Sequence, residues 1–79
     1  MNRKHWNNQA TKLLQGKTIK SVRYLTAKEA DDELGWENCG ITMFLDDGTQ
    51  IVVSSDDEGN APGALFVNDD ILPTIRGDQ

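Results

Sequence analysis

Ile41-Thr42-Met43-Phe44-Leu45-Asp46-Asp47-Gly48-Thr49-Gln50-Ile51-Val52-Val53-Ser54 is the stretch on which the reading of the fold turns. Two runs rich in β-branched and aromatic residues, Ile41 to Asp46 and Thr49 to Ser54, flank Asp47-Gly48, a pair that tolerates the positive φ angles of a type I′ turn. The sequence therefore predicts a β-hairpin over 41–54, and a two-residue turn at Asp47-Gly48 sets Met43 opposite Val52 and Phe44 opposite Ile51. Both faces of such a hairpin are apolar, so both need cover.

Upstream, Lys17 to Leu25 carries Thr18, Ile19, Val22 and Tyr24, a strand composition in which Ile19 is out of phase with the other two apolar residues. A bulge near Lys20 and Ser21 brings them back to one face. Between this strand and the hairpin, Thr26 and Glu29 have capping-box spacing. A short helix from Ala27 to Leu34 follows, with Ala27, Ala30 and Leu34 inward, a stop at Gly35 and Trp36 plugging the core beyond it. At the N-terminus, Trp6, Ala10, Leu13 and Leu14 form the apolar stripe of an amphipathic helix over residues 2–15, with Gly16 at its C-terminal cap. Downstream, Ala64 to Val67 reads as a strand and Thr74 to Arg76 as a further one, placed at an edge by Pro73.

The expected architecture is thus a small α+β domain: an N-terminal helix, a short second helix and a curled antiparallel sheet of about 3–5 strands built on the 41–54 hairpin. The helices are expected on one face of the sheet, with further strands or the curl of the sheet covering the other. At 79 residues there is room for a single domain, 1–79, divided into the helix of 1–15, a β-rich core over 16–76 and a frayed tail at 77–79.

The net charge of −5 is unevenly spread: residues 1–30 hold seven Lys or Arg and one Glu, whereas residues 31–79 hold twelve acids and Arg76 alone. Complementary packing of the two parts is one consequence. The other is an anionic-partner surface made of Arg3, Lys4, Lys12, Lys17, Lys20 and Arg23, with Trp6 and Tyr24 nearby for stacking. The acidic balance of the whole chain argues against nucleic acid, and Trp6 is accounted for by the apolar stripe.

The densest polar segment is the loop 54–63, in which Asp56, Asp57, Glu58 and Asn60 are hard oxygen donors of the kind a divalent cation takes. Set against a calcium loop, Ser54 stands at the first ligand position and Leu65 at the twelfth, so the bidentate acid that tightens such sites is absent and no metal is assigned. Nucleophilic chemistry would need Cys39 and His5, the single residues of their kinds, in segments with no reason to meet; Cys39 beside Gly40 reads as a small core residue. Adjacent acids at Asp46-Asp47 and Asp69-Asp70 suit turns, and a chain this short hardly walls in a cleft for paired-carboxylate hydrolysis. Glycine-rich phosphate loops and paired-cysteine zinc motifs are missing from the sequence, and no catalytic residue or cofactor is implied.

Gly16-Lys17-Thr18-Ile19, Tyr24-Leu25-Thr26 with Glu29-Ala30, Gly35-Trp36, Asp47-Gly48-Thr49, and Asp56-Asp57-Glu58-Gly59-Asn60 followed by Pro62-Gly63-Ala64-Leu65-Phe66 make a pattern over residues 16–67. It resembles a family of short bacterial and phage-type proteins without an assigned activity, and implies a compact prokaryotic or phage domain. Without a leader or a membrane-length apolar run, and with a lone cysteine, the expected compartment is the cytoplasm. The functional expectation is a non-enzymatic binding module whose partner is another protein or a second copy. The alternatives are a small-ligand or divalent-cation domain using loop 54–63, weak nucleic-acid contact through the basic segment, and an oligomeric enzyme working through Asp56, Asp57 or Glu58. No membrane partner is expected.

Overall fold

The computed structural model of the protein describes residues 2–54 and 63–77. In chain order the elements are α1 (Arg3–Leu14), β1 (Ile19–Tyr24), α2 (Ala27–Leu34), β2 (Ile41–Leu45), β3 (Gln50–Val53), β4 (Leu65–Val67) and β5 (Asp70–Leu72). The strands form one five-stranded antiparallel meander in the order β1-β2-β3-β4-β5, open at both ends. The domain is α+β with an N-terminal helix, as its residue pattern implies.

Local signals set most of the boundaries. Asn2 caps α1, its side chain accepting the His5 N–H at 3.1 Å. The Thr26 hydroxyl accepts from the Glu29 N–H while the Glu29 carboxylate accepts from the Thr26 N–H, a complete capping box, and Gly35 ends α2 in the left-handed region at φ 68°. In β1 the register shifts between Ile19 and Ser21. Ile19 therefore stands opposite Leu45 while Val22 and Tyr24 stand opposite Met43 and Ile41, all on one face.

The hairpin departs by one residue from the register that a type I′ turn dictates. Met43 pairs with Ile51, Phe44 with Gln50 and Thr42 with Val52. The reason lies in the turn. Among the described non-glycine residues only Asn68 has a positive φ, so Asp47 cannot supply the first left-handed residue of a type I′ turn; Gly48 alone takes that conformation, at φ 89°. The Leu45 N–H donates to the Thr49 carbonyl and the Gly48 N–H to the Leu45 carbonyl, leaving a three-residue loop, Asp46 to Gly48. The Asp47 carboxylate locks it by accepting the Thr49 N–H at 3.0 Å and pairing with the Lys17 ammonium at 2.7 Å.

The last strand also differs from expectation. A two-residue turn at Asn68-Asp69 returns the chain at once, so β5 is Asp70–Leu72, ending just before Pro73, and Thr74 to Arg76 are not in a strand. Asn68 takes φ 53°, tolerable for an asparagine, while its side chain accepts the Gln50 N–H at 2.8 Å and its own N–H donates to the Gln50 carbonyl.

Strand alternation sorts the side chains into two faces. On one, Leu13 and Leu14 of α1 pack against Leu45, Ile51 and Val67, with Met43, Leu65 and Leu72 around them. On the other, α2 and the segment after it lie over Phe44, Val52 and Phe66: Trp36 stacks on Phe66 at 6.0 Å, and Arg23 binds Glu29 across the face. The helices thus occupy opposite faces rather than sharing one, because each apolar face of the sheet takes whichever helix its own chain connection delivers. Thr42, wholly buried on the α2 face, donates to the Ile51 carbonyl at 2.9 Å and accepts from the Gln50 side-chain amide at 3.1 Å.

Candidate interaction surface

The two helices carry opposite charge to the two faces. Residues 3–14 of α1 include Arg3, Lys4 and Lys12 and no acid, while residues 27–34 of α2 include Glu29, Asp31, Asp32 and Glu33 against Lys28. Charge segregated along the chain is therefore also segregated in space, with positive charge beside the Val67 core and negative charge on the reverse of the sheet.

The six candidate cations have different fates. Arg3, Lys4 and Lys12 lie exposed on α1, and Lys20 lies exposed at the bulge of β1. Lys17 is engaged by Asp47, whose carboxyl it holds far below the ordinary range, with help from the Thr49 hydroxyl and N–H. Arg23 makes a two-pronged contact with Glu29 at 2.7 and 2.9 Å, donates to the Tyr24 carbonyl at 3.1 Å, and sits 5.4 Å above the Phe44 ring. That guanidinium, with the Thr26 N–H, lowers the Glu29 carboxyl to about 2.

β1 is the edge strand, and every residue in it is exposed. The α1 face beyond the helix is apolar: Ile19 is 53% exposed, Val22 58%, Tyr24 65%, Ile41 38% and Val53 42%. The register puts all five on that face, because Ile19, Val22 and Tyr24 oppose Leu45, Met43 and Ile41, while Val53 lies two residues beyond Ile51 and opposite Leu65. They lie along β1 and at the Ile41–Val53 end of β2 and β3, beyond the residues packed with Leu13 and Leu14 of α1. Scattered exposed aliphatics are ordinary, but five neighbours on one sheet face mark an interaction surface. The residue pattern shows that both hairpin faces are apolar, but not which half a 12-residue helix leaves open.

The remaining candidates are less organised. Asp56, Asp57, Glu58 and Asn60 of the acidic loop lie outside the described residues; of that segment the structure describes Ser54, whose hydroxyl donates to the Ala64 carbonyl, and Gly63. Among the described residues no three His, Cys, Asp or Glu side chains cluster as metal ligands. Cys39 is exposed, contrary to its reading as a core residue. The close approach in that segment is made by its neighbour Gly40, where an added Cβ would stand 3.2 Å from the Val53 carbonyl oxygen. His5 packs edge-on against Trp6 at 4.8 Å on α1, in the N-terminal helix rather than the loop that carries Cys39. An open groove of about 570 Å³ on the α2 face is lined by Glu33, Leu34, Gln50, Val52, Asn68 and Asp69; there the Asn68 side chain accepts the Gln50 N–H and the Gln50 amide donates to the Thr42 hydroxyl. Among the described residues no helix is long and apolar enough to cross a membrane.

The chain matches no known family model, no curated protein and no solved structure.

Proposed function

We propose that this protein is a non-enzymatic interaction module of a bacterial or phage system, acting in the cytoplasm and binding another protein through the open half of its α1 face. The observation that carries the reading is the strip Ile19, Val22, Tyr24, Ile41 and Val53, exposed together on one side of the sheet. Leaving it in water forgoes the free energy of burying about 25 cal/mol per Å² of apolar area, a cost offset when a partner covers it. Edge-to-edge strand pairing is the lesser route, because β1 carries a bulge and the exposed Lys20, two features that blunt a sheet edge. The contact expected is with the face of the sheet.

The test is site-specific photo-crosslinking in cells that make the protein, with the reactive side chain at position 22 on the strip or at position 71 on the opposite face. A discrete adduct from position 22, absent from position 71 and lost when Tyr24 is also replaced by Thr, is the expected result. Equal adducts from both positions, or none from position 22, would sink the reading.

A further inference from the structure

We infer that the groove on the α2 face takes a small aliphatic polyamine, at a site separate from the strip and independent of it. The groove holds about 570 Å³ and draws its lining from three places: Glu33 and Leu34 from the last turn of α2, Gln50 and Val52 from β3, and Asn68 and Asp69 from the β4–β5 turn. That volume is within the range of small-ligand clefts. Its aliphatic surface is the half-buried Leu34 and the buried Val52.

Charge selects the occupant. None of the six lining residues is basic, and the two acids stand on separate elements. Neither Glu33 nor Asp69 takes part in an ion pair among the described residues. The end of α2 adds to this. Its last turn carries no basic residue, although a cation is what ordinarily offsets the negative end of the helix dipole. The Gly35 and Trp36 N–H groups bond the carbonyls of Ala30 and Asp31, which leaves those of Asp32, Glu33 and Leu34 as the negative pole. A bare metal ion matches the lining poorly: it makes no use of Leu34 and Val52, and among the described residues no third His, Cys, Asp or Glu joins the two carboxylates as a ligand set. A chain of methylenes ending in ammonium groups matches all of it. The methylenes lie on Leu34 and Val52, and the ammonium groups donate charge-assisted hydrogen bonds to the Glu33 and Asp69 carboxylates. The Gln50 side-chain oxygen, free while its NH2 donates to Thr42, is a further acceptor.

The experiment follows the amides of the full chain by NMR during titration with spermidine, with n-butylamine, magnesium chloride and a capped Arg-Ala-Arg-Ala peptide as comparators at matched ionic strength. Two double variants run beside the parent. Glu33→Gln/Asp69→Asn removes the groove carboxylates, and Asp31→Asn/Asp32→Asn removes two exposed acids of α2 that do not line the groove, with the same change of net charge. The expected result is saturable shifts of the six lining amides at about millimolar spermidine, about fivefold or more weaker in the first variant and within about twofold of the parent in the second. n-Butylamine and magnesium should bind more weakly than spermidine. Equal loss in the two variants would reduce the effect to diffuse attraction by an acidic chain, and shifts matched by magnesium would make the groove an inorganic-cation site. A peptide that saturates the groove where spermidine does not would make it a protein-docking site. Each of these, or lining amides that do not move with spermidine, overturns the inference. The strip amides of Val22 and Tyr24 should stay still throughout, so failure here leaves the reading of the strip untouched.

Discussion

Covered and bare positions on the same sheet face should respond very differently to substitution. Val67 is fully buried under α1, whereas Val22 and Tyr24 are 58% and 65% exposed. Val67→Ala removes two buried carbon groups and leaves a cavity, which costs about 2–3 kcal/mol. At about 4–8 °C per kcal/mol for a domain of this size, the melting temperature should drop by about 10–20 °C. Val22→Thr keeps the β-branched shape and Tyr24→Thr keeps strand propensity, so each should stay within about 0.5 kcal/mol, and the double variant within about 8 °C of the parent. Circular dichroism melts and urea titrations at several protein concentrations make the comparison. A double variant as unstable as Val67→Ala would mean that the strip is packed inside the domain, and the reasoning about an open face would be wrong. A parent melting temperature that climbs with concentration would mean that a second copy covers it.

Thr26→Ala removes the hydroxyl half of the capping box at α2 and should cost about 1 kcal/mol, read as a lower urea midpoint with an unchanged m-value. Gly48→Ala forces a side chain onto φ 89° in the hairpin loop, and a destabilisation of about 1–2 kcal/mol is expected by the same titration. Because Glu29 sits at about 2 in the folded protein, below its ordinary 4.5, the unfolded chain takes up its proton first as pH falls. Its contribution is therefore complete above the ordinary glutamate range and lost progressively as pH drops through about 2. Urea midpoints should fall over that window, and less steeply in Glu29→Gln. Cys39, exposed in the loop before β2, should react with a thiol reagent in the native protein as readily as in the denatured chain, and a protected thiol would contradict its placement.

Each feature the chain spells out is held within a few residues. The Thr26–Glu29 box and Gly35 bound α2 to the residue, and the phase conflict between Ile19 and Val22 marks the bulge of β1, because each is set by hydrogen bonds and backbone angles of near neighbours. The hairpin is legible for the same reason, but its register is not: the choice between a two-residue and a three-residue loop depends on Asp47 holding the Thr49 N–H while bound to Lys17, a residue 30 positions away. Asp70–Leu72 is missed as a strand because it is only three residues long, begins with an acid and follows directly on Asn68-Asp69; pairing with β4 across that turn makes it one.

The candidate surface divides in the same way. The basic N-terminal third, the apolar hairpin and the acidic loop are all visible as residue types. Tertiary structure decides that α1 and α2 go to opposite faces, that Asp47 and Glu29 engage Lys17 and Arg23, and that Cys39 faces solvent. It also decides that Leu13 and Leu14 of α1 pack with Leu45, Ile51 and Val67, leaving Val22, Tyr24 and Ile41 bare. Sequence determined which residues need cover, because that follows from side-chain chemistry and strand period; which of them receive it depends on where one short helix lands, a long-range packing outcome that no local pattern encodes.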